Sequence, residues 1–363
     1  MREYLVCFLV AAAVTYVLTP PVRRLAIKAK AMAEVRDRDI HATPTPRWGG
    51  LAMYGGFLAG MLIASKLPGM AVVFGGNRQP LALVVGSTLI VGLGLLDDRF
   101  GLDAPTKFAG QALAAGSMAF LGIQMVWLPI GGTLVLDPLT SVLLTVLFVV
   151  LTINAVNFVD GLDGLAAGIV GIAATAFFIY AFLLSVEFGF DRATLAALIS
   201  AVLAGICVGF LPHNLNPARL FMGDTGSMLI GLLLAASAIT LSGRVDPSAV
   251  RGELLLPAIL PLLLPLAVIA VPLVDVAMAV VRRTRRGRSP FAPDKEHLHH
   301  RLIELGHSQR RAVALMYAWT ALIAFSAVAV ALVPWPLALV VFLAGLAGLA
   351  FLVSRPPAAL SRR

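Results

Sequence analysis

What most constrains this chain is the recurrence, along its whole length, of apolar stretches matched to the thickness of a bilayer. Hydrophobic residues make up 59% of its 363 residues and charged residues only 13%, about half the charged share of an ordinary soluble domain. A helix needs about 20 apolar residues to cross a bilayer. Such runs fall near 4–19, 49–66, 80–96, 108–127, 138–153, 165–186, 193–211, 226–242, 254–281, 312–333 and 337–353. They are continuously apolar and rich in Leu, Ala, Val and Gly, without the period-two alternation of barrel strands. The expected fold is all-α, a polytopic integral membrane helical bundle of about eleven transmembrane helices, forming a single domain over residues 1–363. Pro257, Pro261, Pro265 and Pro272 predict a broken or kinked ninth helix.

Positive charge near spans stays on the cytoplasmic side. With the N-terminus outside, the cytoplasmic segments are 20–48, 97–107, 154–164, 212–225, 282–311 and the tail after 353, and they hold 22 of the 28 Lys and Arg residues. The expected topology is therefore N-out and C-in. The formal net charge of +9 then reflects topology and attraction to anionic headgroups. No nucleic-acid-binding motif accompanies it, so nucleic acid is not an expected partner. The first run is followed, not preceded, by the basic pair Arg23 and Arg24, which predicts a retained anchor instead of a cleaved signal. Cys7 and Cys207 both lie inside apolar runs and read as packing residues.

Against this background the polar islands stand out. Asn154 to Ala166 places two amides and two carboxylates between two spans, and Asp160 and Asp163 are each followed by Gly, which predicts turns at both. Asn157 and the two aspartates could offer oxygens to a hard cation, while capping of the next helix accounts for one aspartate alone. Asp97 and Asp98 end the third span, where an anion meets the unfavourable end of its helix dipole. One of the pair could face the bundle while the other is held by Arg99 or Lys107, yet the helix end gives no evident stabilising reason for them, which points to chemistry or cation binding. Pro46-Arg47-Trp48-Gly49-Gly50 opens the second span with a Gly-Gly that permits close backbone approach, and Arg47 would sit beside a phosphate at the mouth, or simply snorkel. Gly223-Asp224-Thr225-Gly226-Ser227 resembles a helix start, a natural anion site at which Asp224 could hold a metal. Residues 128–138 read as an external hairpin or turn. In the last large loop His297, His300 and Arg301 share a face if helical. They suit phosphate and sugar oxygens better than zinc, for which no Cys or His-Glu-x-x-His pattern is present.

All these islands fall on the side assigned as cytoplasmic from Lys and Arg alone. Several carboxylates, Asn, His and Arg gathered at one membrane face suit phosphoryl transfer. Taken together, Pro46-Arg47-Trp48-Gly49-Gly50, Asp97-Asp98-Arg99, Asn154-Ala-Val-Asn157-Phe-Val-Asp160-Gly-Leu-Asp163-Gly, Phe221-Met-Gly-Asp224-Thr-Gly-Ser227 and His297-Leu-His299-His300-Arg301-Leu302 resemble the polyprenyl-phosphate N-acetylhexosamine-1-phosphate transferases (glycosyltransferase family 4) over nearly the whole chain. The His-Leu-His-His-Arg-Leu form is similar to the branch using UDP-N-acetylglucosamine. It departs from the phospho-N-acetylmuramoyl-pentapeptide branch, which carries three successive histidines and an acidic residue.

The resemblance implies attack of a membrane polyprenyl phosphate on the β-phosphorus of a UDP-sugar, releasing UMP, at the first lipid-linked step of cell-envelope polysaccharide synthesis. It implies a multi-pass protein of the inner (plasma) membrane, working at its cytoplasmic face, and admits a homodimer. Asp224 and Asn157 would be ligands of Mg²⁺, with Mn²⁺ as the alternative. Asp97 and Asp98 would lie near the lipid phosphate, one of them accepting its proton, and Lys107 near the diphosphate. Asp160 and Asp163 would shape the nucleotide pocket. Asn154, His297, His299, His300 and Arg301 would contact substrate. A cation-coupled transporter is the rival from another class, but its carboxylates would sit near the bilayer midplane.

Overall fold

The computed structural model describes residues 1–32, 44–128, 134–187, 194–242, 284–285, 307–330 and 333–354. They form an all-α bundle, as expected, because a chain in hydrocarbon must satisfy its backbone internally. In order the helices are α1 (Arg2–Lys28), α2 (Gly49–Ala64), a 3₁₀ turn (Pro68–Met70), α3 (Ala71–Phe74), α4 (Gln79–Phe100), α5 (Ala104–Phe120), α6 (Pro138–Val159), α7 (Leu165–Glu187), α8 (Thr194–Asn214), α9 (Gly223–Ser242), α10 (Gln309–Val330) and α11 (Trp335–Ser354). Between α5 and α6 an antiparallel pair, β1 (Trp127–Leu128) and β2 (Leu134–Val135), joins Trp127 to Val135, in the segment expected to turn.

Among the described residues eight helices are long and apolar enough to cross a membrane, and nine if α2 and its continuation Pro68–Phe74, bent by 99°, count as one span. The helix α5, with 17 residues, falls short of the expected run 108–127. The expected ninth run, 254–281, lies outside the described residues. One boundary differs clearly: α1 continues through Pro20 and Pro21 to Lys28, so the loop expected from residue 20 begins later. Pro20 lacks the N–H that would have bonded the Tyr16 carbonyl four residues back. His213 of α8 supplies the missing donor, its Nε2 lying 3.2 Å from that oxygen.

At the centre stands α9, surrounded by α2, α4, α6, α7 and α8. Every one of its residues is buried except Asp224. Helices in lipid gain little from apolar burial against each other, so close packing through small residues carries the association. Two glycines show how close that approach is. A Cβ on Gly50 would lie 2.1 Å from the Gly226 nitrogen, and one on Gly94 would lie 2.4 Å from the Thr225 Cα. Backbone bonds from Gly49 N to Phe221 O and Gly50 N to Met222 O, both 2.9 Å, dock the start of α2 onto the approach to α9. The Gly-Gly expectation is met by this contact.

Gly92 and Gly94 on α4 make a controlled pair, because nothing lies within 4 Å of a Cβ on Gly92. Gly92→Ala should be neutral or gain up to about 1 kcal/mol from helix propensity. Gly94→Ala should cost about 1–3 kcal/mol or more, because backbone cannot yield as a side-chain tip can. Thermal unfolding of the two variants in detergent checks this, and equal stabilities would contradict the close α4–α9 approach.

Candidate active site

A helix start leaves four backbone N–H groups without partners, and α9 starts deep among other helices. The last turn of α4 answers this need. Asp98, only 7% exposed, accepts from Asp224 N through Oδ1 at 2.9 Å, and from Thr225 N and Thr225 Oγ1 through Oδ2 at 3.1 and 2.6 Å. Gly223 makes room for it: its φ is +69°, and a Cβ there would come within 2.4 Å of Asp98 Oδ2. The expectation that the helix end gives the pair no stabilising reason is thereby corrected for Asp98, while the expected hold by Lys107 falls on Asp97. The pair ends α4, yet Asp98 rests against the positive end of a different helix, a relation invisible along one segment.

Asp97 has separate work. Its Oδ1 accepts from Leu102 N at 2.8 Å, and its Oδ2 pairs with Lys107 Nζ at 2.5 Å. The same ammonium lies 2.5 Å from Asp224 Oδ2, so one cation at the start of α5 joins α4 to α9. From the last turn of α6, Asn157 Nδ2 donates to Asp224 Oδ1 at 2.8 Å and to Ser227 Oγ at 2.9 Å. Asp97, Asp98, Lys107, Asn157 and Asp224 are thus one cluster, assembled from four helix ends at one end of the bundle.

Asp160 follows α6 in the turn to α7. Burial, with the neighbouring charges of Asp224 and Asp98, pushes its carboxyl up to about 8, and Arg47 opposes the shift. Arg47 therefore lies within electrostatic reach of the cluster, on the segment that enters α2 through a left-handed Trp48 (φ 84°). Asp163, 4% exposed, has a different setting. Its Oδ2 accepts from Asn216 Nδ2 and Ala218 N at 3.0 and 3.1 Å, stitching the 160–164 turn to the loop after α8. That loop is held in turn by α10, where Arg310 donates twice to Asn216 O and Tyr317 donates its hydroxyl to Gly164 O. Asn154 sits one turn deeper, donating to Gln111 Oε1 at 2.7 Å. His297, His299, His300 and Arg301 lie outside the described residues.

Several residues of this arrangement carried no expectation. Thr225 and Ser227 stood in a quoted motif but read only as a helix start. Gln111 had a weak signal, a polar residue four positions after Lys107 inside an apolar run. Tyr317 had none. Among the described residues no three His, Cys, Asp or Glu side chains converge as a metal site by themselves. What does meet is carboxylate oxygen and the Asn157 carboxamide, which turns its nitrogen to Asp224, with an ammonium already drawn between Asp97 and Asp224. Mg²⁺ commonly takes one or two carboxylates and completes its shell with water and substrate phosphate, so this hard-donor set fits it.

Residues 80–242 match the family described as Glycosyl transferase family 4. The chain is 48% identical over 332 residues to the decaprenyl-phosphate N-acetylglucosaminephosphotransferase of Mycolicibacterium smegmatis, covering 90% of this chain and 82% of that protein. Its identity to the protein of the same description from Mycobacterium tuberculosis is 46%, with the same coverage. A probable undecaprenyl-phosphate N-acetylglucosaminyl 1-phosphate transferase of Bacillus subtilis is 31% identical over 321 residues, 87% of this chain and 82% of the relative.

The Asp160 geometry makes a pH prediction. An unfolded aspartate titrates near 3.9, so between about 4 and about 8 the folded protein holds a proton that the unfolded chain releases. Stability contributed by that proton declines as pH rises through this window. Asp160→Asn keeps the position neutral, so its melting temperature in detergent with EDTA should gain on the unsubstituted protein from pH 5 to pH 9. A difference that shrinks with rising pH would contradict the charge crowding.

Proposed function

Because the chain belongs to glycosyl transferase family 4, among the polyprenyl-phosphate N-acetylhexosamine-1-phosphate transferases, we propose that it transfers N-acetylglucosamine 1-phosphate from UDP-N-acetylglucosamine to a membrane polyprenyl phosphate. The observation that carries this reading is the convergence of Asp97, Lys107, Asn157 and Asp224 from four helices. The names of the relatives support the acceptor and the sugar.

A phosphate oxygen of the acceptor attacks the β-phosphorus of the sugar nucleotide. The new P–O bond forms there as the bond to the bridging oxygen breaks, and UMP leaves with that oxygen. The second pKa of a phosphate monoester is about 6, so the attacking group is already largely ionised at pH 7. Positioning and charge compensation therefore outrank proton removal. Asp97 holds Lys107 by a short ion pair, and Lys107 and Arg47 present positive charge to the phosphates. Asp224 and Asn157 would hold Mg²⁺, which when bound would neutralise charge on phosphate oxygens. Asp98 holds the first turn of α9, which presents Asp224, and Asp163 holds the turn that carries Asp160. The Lys and Arg asymmetry supports placing this end of the bundle at the cytoplasmic face, where a sugar nucleotide is available.

Purified protein in detergent, given polyprenyl phosphate and radiolabelled UDP-N-acetylglucosamine, should form a labelled lipid that EDTA abolishes and Mg²⁺ restores. UDP-N-acetylmuramoyl-pentapeptide in its place should give none. Asp224→Asn should leave the protein folded and lower turnover by about 10²–10³-fold or more. Absence of a lipid-linked product from the unsubstituted protein would overturn the substrate assignment, and undiminished turnover by Asp224→Asn would remove Asp224 from the metal site.

A further inference from the structure

One helical turn beneath the cluster lies a second, parallel set of contacts. Gln111 follows Lys107 by four residues on α5, Asn154 precedes Asn157 by three on α6, and Met228 follows Asp224 by four on α9. At these spacings each deeper residue lies on the same helix face as its partner in the cluster. Gln111 is 1% exposed and Met228 is fully buried. Gln111 Oε1 accepts from Asn154 Nδ2 at 2.7 Å, and its Nε2 lies 3.8 Å from Met228 Sδ. Asn154 Nδ2 also donates to Val150 O, one turn back on its own helix, at 2.8 Å. A polar side chain is costly to bury in a membrane bundle and needs a reason for being there. Here one carboxamide links three helices: it stands on the helix of Lys107 and bonds the helices of Asn157 and Asp224.

We propose that Gln111 is a positioning residue, its amide fixing the separation of α5, α6 and α9 so that Lys107, Asn157 and Asp224 meet in the geometry the transfer requires. The proposal deepens the functional reading and rests on it for its kinetic test. It also gives Asn154 a partner within the protein, where the sequence suggested contact with substrate. Nothing in this role requires Gln111 to touch substrate, and it lies a turn too deep among the helices to present its amide at the cluster.

The test uses full-length protein and two variants. Gln111→Met keeps an unbranched chain of similar volume and removes both interactions of the amide. The exchange Gln111→Asn with Asn154→Gln preserves the summed length of the amide pair. For Gln111→Met, kcat should fall about tenfold or more through misplacement of the cluster, with KM for both substrates within about twofold. Lys107 should be acylated by a water-soluble succinimidyl ester about fivefold faster than in the unsubstituted protein, read by mass spectrometry, as its carboxylate cage loosens. The exchange should return kcat and acylation to within about threefold of the unsubstituted protein. Unchanged kcat and acylation in Gln111→Met would overturn the proposal, as would an exchange variant no better than it. Should Gln111→Met fail to fold, the exchange variant alone decides by the same limits. If the unsubstituted protein makes no lipid-linked product, the substrate reading fails, while Lys107 acylation still decides the role of Gln111.

Discussion

The structure depends on how one helix start is satisfied in a place with little water. The amides at the beginning of α9 point into the bundle, where leaving them without partners would cost several kcal/mol each. Asp98 meets two of them and the Thr225 hydroxyl as well. Because that carboxylate comes from α4, the bond fixes α4 against α9, and Gly94 and Gly223 are small so that the approach can be made. With its start held, α9 can be buried along its length and still turn one residue, Asp224, toward the cluster. Packing, capping and the presentation of the site are here consequences of a single contact.

The same contact crowds negative charge. Asp97 and Asp224 share Lys107, Asp98 caps the first turn of α9 beside them, and Asp160 lies within electrostatic reach of Asp224, Asp98 and Arg47. Burial first, and this crowding after it, push the Asp160 carboxyl up, and Lys107 is drawn tightly between Asp97 and Asp224. Under the proposed transfer, a divalent cation held there would offset that negative charge and give phosphate oxygens a partner, which is the sense in which the carboxylates suit the reading.

Helix existence was legible from the apolar runs, because the bilayer sets their length. Their ends were less so. Pro20 reads as a stop, and nothing in the residues around it announces that His213, almost two hundred positions later, will take the carbonyl it releases. The cluster was legible as residue types at span ends: Asp97, Asp98, Lys107, Asn157 and Asp224 all carried expectations. What the sequence could not apportion was their work. Asp97 and Asp98 are neighbours with identical chemistry, yet one pairs with Lys107 and the other caps α9, a division set by which helices the two faces of α4 meet. Asp163 and Asp160 likewise look equivalent beside their glycines. Only the loop after α8, with Asn216 and Ala218, separates the bonded carboxylate from the one facing the cluster. Gln111 hid because a single amide in an apolar run resembles tolerated polarity until its two partners, on other helices, are seen.

The position of the cluster along the bundle also bears on what kind of protein this is. A transporter binds its cargo near the bilayer midplane, between broken helices that open alternately to either side. Here the cluster's residues, charged except for Asn157, come from the last turn of α4, the first turns of α5 and α9, and the last turn of α6, so they share one end of the bundle. Below them α9 is buried along its length, with Gln111 engaged with both Asn154 and Met228. No polar path leads from the cluster along α9 toward the opposite end among the described residues. A charged site at one end of the bundle suits the proposed lipid acceptor, whose phosphate stays at the interface while its chain remains in hydrocarbon. A water-soluble phosphate donor would reach the same end from the cytoplasm, so the two substrates of the proposed transfer would meet without either crossing the membrane.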